Sequence, residues 1–126
     1  MDLERNRWFP SGHQNTDFER WYRANSTYYA KYEFPFEPYF VADVRTLPRW
    51  DERFRGYGED KAQQVLHMAR AGFKFVVLPD KFVMHREHEP SDAWAPDTKT
   101  GMSITWCNRM AELQGEFDRE FGKGGY

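Results

Sequence analysis

Asp51-Glu52 and Glu59-Asp60 bracket the short stretch Gly56-Tyr57-Gly58, and this is the first place in the chain where side chains able to do chemistry gather. Glycines at 56 and 58 permit positive φ and close backbone approach, so the segment can turn sharply and leave the acids at a lip. A carboxylate at such a lip can serve as general base toward a docked hydroxyl. Acids in the first turn of a following helix also complement its dipole, which accounts for them with no chemistry at all. The second place is Val83-Met84-His85-Arg86-Glu87-His88, where an imidazole ends an apolar run and opens a polar one. A rim position of this kind suits a ligand to a bound ion, and Glu87 and His88 would add donors to a metal corner. A histidine hydrogen-bonded at a surface turn satisfies the same pattern. Phosphate loops of the Gly-x-x-x-x-Gly-Lys-Ser/Thr and Gly-x-Gly-x-x-Gly types are absent, as is a Gly-x-Ser-x-Gly elbow. Cys107 is the sole cysteine, which rules out an internal disulfide and argues against a thiolate metal site; it reads as a buried, unreactive thiol.

These groups need elements to hold them. The first fifteen residues read as irregular, and Asn15-Thr16-Asp17-Phe18-Glu19 then offers an N-cap and a Thr-x-x-Glu capping box. A short helix to about Asn25 follows, with Phe18, Trp21 and Tyr22 turned inward. Residues 28–33 and 36–42 are rich in aromatic and β-branched types and predict two strands, with Pro38 marking an edge, a bulge or a strand start. From Asp60 the period changes. Ala62, Val65, Leu66 and Ala69 recur at helical spacing, and Gly72 stands where a left-handed C-terminal cap is needed. Phe73–Leu78 predicts a strand, Pro79-Asp80 a turn, and Phe82–His85 a further extended run. Arg86 to Thr100 reads as the longest loop. A final amphipathic helix over 101–121 places Trp106, Met110, Leu113, Phe117 and Phe121 on one stripe and stops at Gly122. Tyr57, Trp50 and Trp94 are candidates for a platform stacking on a sugar, whereas Trp21, Trp106 and Tyr28-Tyr29 read as core. Glu37 in Phe36-Glu37-Pro38 is either a polar contact to substrate or a buried structural hydrogen bond.

Length bounds the chain to one domain, 1–126. Charged residues reach 30% while the net charge is only −2, so the surface is not one built to neutralise many phosphates, and a nucleic-acid partner is disfavoured. Aromatics make up 18% of the chain and carry most of the apolar area available to a core. No run approaches the ~20 apolar residues of a membrane helix, and Met1-Asp2-Leu3-Glu4-Arg5 lacks the apolar centre of a secretory signal.

Four blocks, in order, resemble one enzyme family. They are Gly12-His13-Gln14-Asn15-Thr16-Asp17-Phe18-Glu19-Arg20-Trp21, Phe36-Glu37-Pro38-Tyr39-Phe40-Val41, Asp51-Glu52-Arg53-Phe54-Arg55-Gly56-Tyr57-Gly58, and Ala71 through Pro79 to His85. Together they are similar to glycosyltransferase family 49, which contains the LARGE-type glycan polymerases and a β-1,4-glucuronyltransferase. The resemblance implies an α/β fold of the GT-A type, a mixed sheet with flanking helices. It implies inverting transfer of glucuronic acid or a related sugar from a UDP-sugar donor to a glycan acceptor, with Mn²⁺. It places a metal-binding histidine at His85. In inverting GT-A enzymes of several families the acid after a Gly-aromatic-Gly turn deprotonates the acceptor, which here is Asp60 with Glu59 beside it, while Tyr57, Gly58, Trp50 and Glu37 fall on the substrate side. Family 49 itself more often carries an aromatic and Asn where this chain has Glu59-Asp60. An Asp-x-Asp motif, which in the family holds the metal upstream, does not occur in the chain. The expectation is therefore the C-terminal part of a GT-A domain whose N-terminal half is absent, with no transferase activity in the isolated polypeptide and Golgi residence for a full-length member. The alternative is an inert glycan-binding or interaction module that retains the acceptor side only.

Overall fold

The helix that opens at Asp60 is the structural centre of the molecule. A computed structural model describes residues 10–54, 60–86, 88–89 and 98–123, with the backbone alone for 98–106. In chain order the elements are α1 (Pro10–His13), a 3-10 turn (Gln14–Thr16), α2 (Phe18–Arg23), β1 (Tyr28–Ala30), α3 (Asp60–Arg70), β2 (Phe75–Val77) and α4 (Thr98–Phe121). Ala62, Val65, Leu66 and Ala69 of α3 are buried as their spacing requires, and Gln63, Gln64 and Met68 are buried with them. A helix enclosed on so many sides must find partners for its polar side chains or lose their hydration. Gln64 Nε2 donates to the Pro48 carbonyl at 2.6 Å. Among the described residues the amide of Gln63 finds no hydrogen-bond partner at either end.

Gly72 ends α3 as expected, with φ of 87°. Its N–H reaches the Ala69 carbonyl at 3.1 Å and the N–H of Phe73 reaches the Met68 carbonyl at 3.0 Å, the two bonds of a Schellman cap. A Cβ added at Gly72 would meet nothing within 4 Å, so crowding is no obstacle. The left-handed backbone alone opposes substitution. Gly72→Ala is expected to destabilise by about 1–2 kcal/mol in denaturant unfolding, and Gly72→Asn by less; an alanine variant as stable as the parent would show that the cap does not hold in solution.

Among the described residues the sheet is two antiparallel strands, with Tyr28 opposite Val77, Tyr29 opposite Val76 and Ala30 opposite Phe75. The α/β class is as expected, but a mixed sheet is not what these residues form. Alternation along β1 buries Tyr28 and Ala30 and leaves Tyr29 71% exposed, so only one of the paired tyrosines is core. The strand expected over 36–42 is irregular chain instead, and so is the run Phe82–His85. Phe36 goes into the core, yet Val41 and Val44 face solvent, which is the burial of an anchored loop and not of a ladder. The core joins Ala30, Tyr32 and Phe36 to Val65, Leu66 and Ala69 of α3 and to Met110, Leu113 and Phe117 of α4, with Phe40, Phe54, Phe75 and Val77 packed around them.

α4 delivers the expected stripe through Met110, Leu113 and Phe117, ends before Gly122 at φ of 84°, and starts earlier than its pattern indicated. Phe121 is partly exposed, and Cys107, expected inside, is exposed. Two ties lock α4 to α3 near their ends: the Phe117 ring lies 4.6 Å from that of His67, and Arg70 donates from Nη2 to Asp118 Oδ1 and to the Gly122 carbonyl, both at 2.6 Å. The first fifteen residues are not wholly irregular, since α1 and the 3-10 turn begin at Pro10. The N-cap falls within the expected stretch but on Asp17, not on the Thr16 of the Thr-x-x-Glu box; Asp17 takes a left-handed conformation and accepts from the Arg20 N–H at 3.1 Å. Thr16 ends the preceding 3-10 turn, and its carbonyl accepts the Tyr28 hydroxyl at 2.6 Å. Tyr22, expected inward, is 49% exposed.

Candidate functional site

Phe36 is 2% exposed and fixes the chain on either side of it. Its neighbour Glu37 is held by its own N–H, which donates to the Gly12 carbonyl at 2.8 Å and so brings the Gly12-His13 turn beside it. Opposite stands the first turn of α3. Lys61 Nζ lies 3.6 Å from Glu37 Oε2, with the Glu37 side chain only 13% exposed. The same ammonium lies 5.4 Å from the centre of the Tyr39 ring, within range of a cation–π attraction. Asp60, one residue earlier, is exposed at the start of the helix.

These contacts set the charges of the corner. Burial pushes the Glu37 carboxyl above its ordinary value; the charge and hydrogen bond of Lys61 pull it back, and the charge of Asp60 adds to the rise. Burial and then the Lys61 charge hold the His13 imidazole below its ordinary value, so it is chiefly neutral at pH 7. The result is a polar corner with one exposed carboxylate, one half-exposed ammonium, a neutral imidazole and an aromatic ring.

Of the residues singled out in the sequence, the structure brings Asp60 and Glu37 together. Tyr57, Gly58 and Glu59 lie outside the described residues, as do Glu87 and Trp94. Asp51, grouped with Asp60 in the sequence, has its carboxylate taken by Arg53 at 2.6 Å, and the hydrogen bonds from Arg53 hold it below the ordinary carboxylate range. Trp50 is 47% exposed just before that turn. Lys61, His13 and Tyr39 join the corner with no sequence signal of their own. Lys61 adjoins Asp60 and His13 stands in a quoted block, but no spacing rule links three segments so far apart in the chain.

His85 lies beyond β2 on an exposed segment that runs over 80–86. The Trp21 indole donates to the Leu78 carbonyl at 3.1 Å and its ring meets Phe82 edge-on at 6.4 Å, so α2 steers the chain toward His85. The imidazole is exposed and stands edge-on to His88, with ring centres 5.2 Å apart; His88 Nδ1 is 2.8 Å from the Glu89 carbonyl. One imidazole of this kind suits one position around a divalent ion. Among the described residues, however, no three His, Cys, Asp or Glu side chains are arranged to hold a metal. His85 with its neighbour is therefore not a complete site. No helix among the described residues is long and apolar enough to cross a membrane.

Comparison with known proteins bears on the whole of this arrangement. Residues 5–116 match the family model described as glycosyl-transferase for dystroglycan. The glycosyltransferase-like protein gnt13 of Dictyostelium discoideum is 46% identical over 79 residues, covering 63% of this chain and 12% of the relative. Its counterpart gnt14 from the same organism is 34% identical over 116 residues, 91% of this chain and 18% of the relative. The xylosyl- and glucuronyltransferase LARGE2 of Rattus norvegicus is 37% identical over 115 residues, 91% of this chain and 16% of the relative. The chain thus spans well under a quarter of the length of these relatives. Every segment that builds the Glu37–Lys61 corner, and the approach to His85, lies inside the matched stretch, and on that match the chain belongs to glycosyltransferase family 49.

Proposed function

We propose that this chain forms the acceptor side of a GT-A glycosyltransferase domain that moves glucuronic acid or a similar sugar from a UDP donor to a glycan acceptor with inversion. The observation that carries the reading is the position of Asp60: exposed, first in α3, and neighboured by Glu37, Lys61, His13 and Tyr39 from separate segments. Inverting transfer is a single displacement. The acceptor oxygen bonds to the anomeric carbon, the bond from that carbon to the diphosphate oxygen breaks with its electron pair leaving on UDP, and the acceptor proton passes to a base. Asp60 is that base, with Glu59 beside it as the second acid. Lys61 can offer a hydrogen bond to a sugar hydroxyl beside the neutral His13, and the exposed aromatic side chains of Tyr39 and Trp50 suit the C–H face of a sugar ring. Glu37 orients Lys61, and Tyr57 and Gly58 complete the substrate side.

Manganese belongs to the same proposal, with His85 as the donor from this chain and the remaining donors supplied by protein outside its described residues. Such an ion, when bound, supplies charge neutralisation at diphosphate oxygens. Residence in the Golgi follows from the family likeness and stands on the same footing. The test is transfer from a panel of UDP-sugars by the full-length protein that carries this chain, with Mn²⁺ present. In the His85→Ala variant, Mn²⁺ binding followed by electron paramagnetic resonance is expected to weaken by about 10–100-fold, and transfer to fall with it. Unaltered Mn²⁺ binding would remove His85 from the site. Oligosaccharide binding with no turnover of any donor would leave an inert glycan-binding module in place of the enzyme.

A further inference from the structure

We propose that Arg53 is a positioning residue, which fixes the turn Asp51–Phe54 against α4 and thereby helps hold α4, α3 and Asp60 in one frame. The inference rests on the functional reading above but on different atoms.

Arg53 makes the densest set of polar contacts in the described structure. Nε donates to Asp51 Oδ1 at 3.0 Å and Nη2 to Asp51 Oδ2 at 2.6 Å. The other side of the guanidinium takes Glu116 of α4, Nη1 to Oε1 at 2.8 Å and Nη2 to Oε2 at 2.7 Å. Its backbone is gripped as well, since Arg109, two turns earlier on α4, donates from Nη1 to the Arg53 carbonyl at 2.7 Å. The turn is closed by the Phe54 N–H on the Asp51 carbonyl at 3.1 Å, and the Phe54 ring packs against the core. One residue thus ties a turn to itself and to a helix more than fifty positions away.

Geometry, not raw strength, makes this a positioning device. Arg53 and Glu116 are partly exposed, so each pair alone adds little to stability. A planar fork holding two carboxylates at once, however, fixes distance and angle together, which a lysine ammonium cannot reproduce. The same stretch of chain is tied to α3 by Gln64 on the Pro48 carbonyl, and α3 to α4 by Arg70 on Asp118. Turn, α3 and α4 form a closed triangle, and Asp60 is the first residue of one of its sides. Such a frame matters to a displacement that tolerates only small errors in the placing of its base.

In the full-length protein, Arg53→Ala and Glu116→Gln are each expected to lower kcat by about 10–100-fold at a temperature well below melting, with donor KM little changed. Arg53→Lys should not rescue. Lys31→Ala, which breaks the exposed Lys31–Glu33 pair, is the control expected to leave kcat unchanged. Amide exchange at Phe54 is expected to quicken about tenfold in Arg53→Ala and Glu116→Gln while amides inside α3 keep their protection. Rates within about twofold of the parent in both variants, or full rescue by lysine, would overturn the positioning role even if the melting temperature fell. Unaltered exchange at Phe54 would overturn the clamp itself. Should the unmodified protein transfer no sugar, the enzyme reading fails and exchange at Phe54 still decides whether Arg53 holds the turn.

Discussion

Asp60→Asn in the full-length protein is expected to slow the proposed sugar transfer by about 10²–10⁴-fold, equivalent to ~3–5 kcal/mol in the barrier, with the fold and donor affinity intact. Asparagine keeps the size and the polar oxygen of the side chain but cannot accept a proton at working pH. What the helix loses is small: a negative charge in the first turn of α3 contributes about 0.3–1 kcal/mol. The two readings of this acid therefore separate by magnitude. If Asp60 only complements the helix dipole, the variant melts slightly earlier and turns over at the parental rate. If it is the base, kcat collapses while thermal unfolding barely moves. Glu59→Gln, measured alongside, tells which of the adjacent acids takes the proton: a large loss there with Asp60→Asn unaffected moves the role by one residue. Steady-state kinetics with one UDP-sugar and one acceptor suffice.

Local pattern made part of this structure legible. The apolar period of α3 and its glycine cap, the stripe on α4 and the hydrophobic strand at Phe75–Val77 are encoded within a few residues of where they act, and they are where the sequence places them. Segment 36–42 has the composition of a strand without forming one, because its aromatic and β-branched residues signal a half-buried surface and a strand exists only where a neighbour completes the ladder. Here Phe36 and Phe40 supply packing from irregular chain. Buried Gln63 and Gln64 were equally invisible, since a helical pattern assigns polar residues to the solvent side and only the Pro48 carbonyl explains one of them. The site divides in the same way. Asp60, Glu37 and His85 stand out by type and by block, but their neighbours depend on contacts between segments: Glu37 on Gly12, and Lys61 on Glu37 and Tyr39. Asp51 is different, because the Arg53 that takes its carboxylate is only two residues on, an arrangement repeated at Asp43 and Arg45. That local pairing divides one acidic cluster into a structural acid and a candidate chemical one.

Phe36→Ala is the substitution expected to do most damage to the fold, because this ring links the core to the functional corner. Its side chain is 2% exposed, meets the Phe75 ring edge-on with centres 5.6 Å apart, and belongs to the cluster that unites β1, α3 and α4. Truncating a buried phenylalanine to alanine typically destabilises by about 3–5 kcal/mol, from lost transfer energy and from the cavity left behind. A domain holds only about 5–15 kcal/mol in all, so denaturant unfolding should register a large shift of the midpoint. The surrounding chain has few means of closing the gap, since 31–54 carries no regular element to slide as a unit. Glu37 adds a second consequence. It reaches the corner only because the chain is anchored at Phe36 and pinned by the Gly12 carbonyl, so the folded fraction of the variant should also transfer sugar more slowly. Phe36→Leu separates the two effects: leucine refills much of the volume and recovers stability, and it recovers rate only if the backbone at Glu37 returns with it. A midpoint unmoved in Phe36→Ala would mean that the aromatic cluster around α3 is not the core of the protein in solution, and the corner built upon it would lose its support.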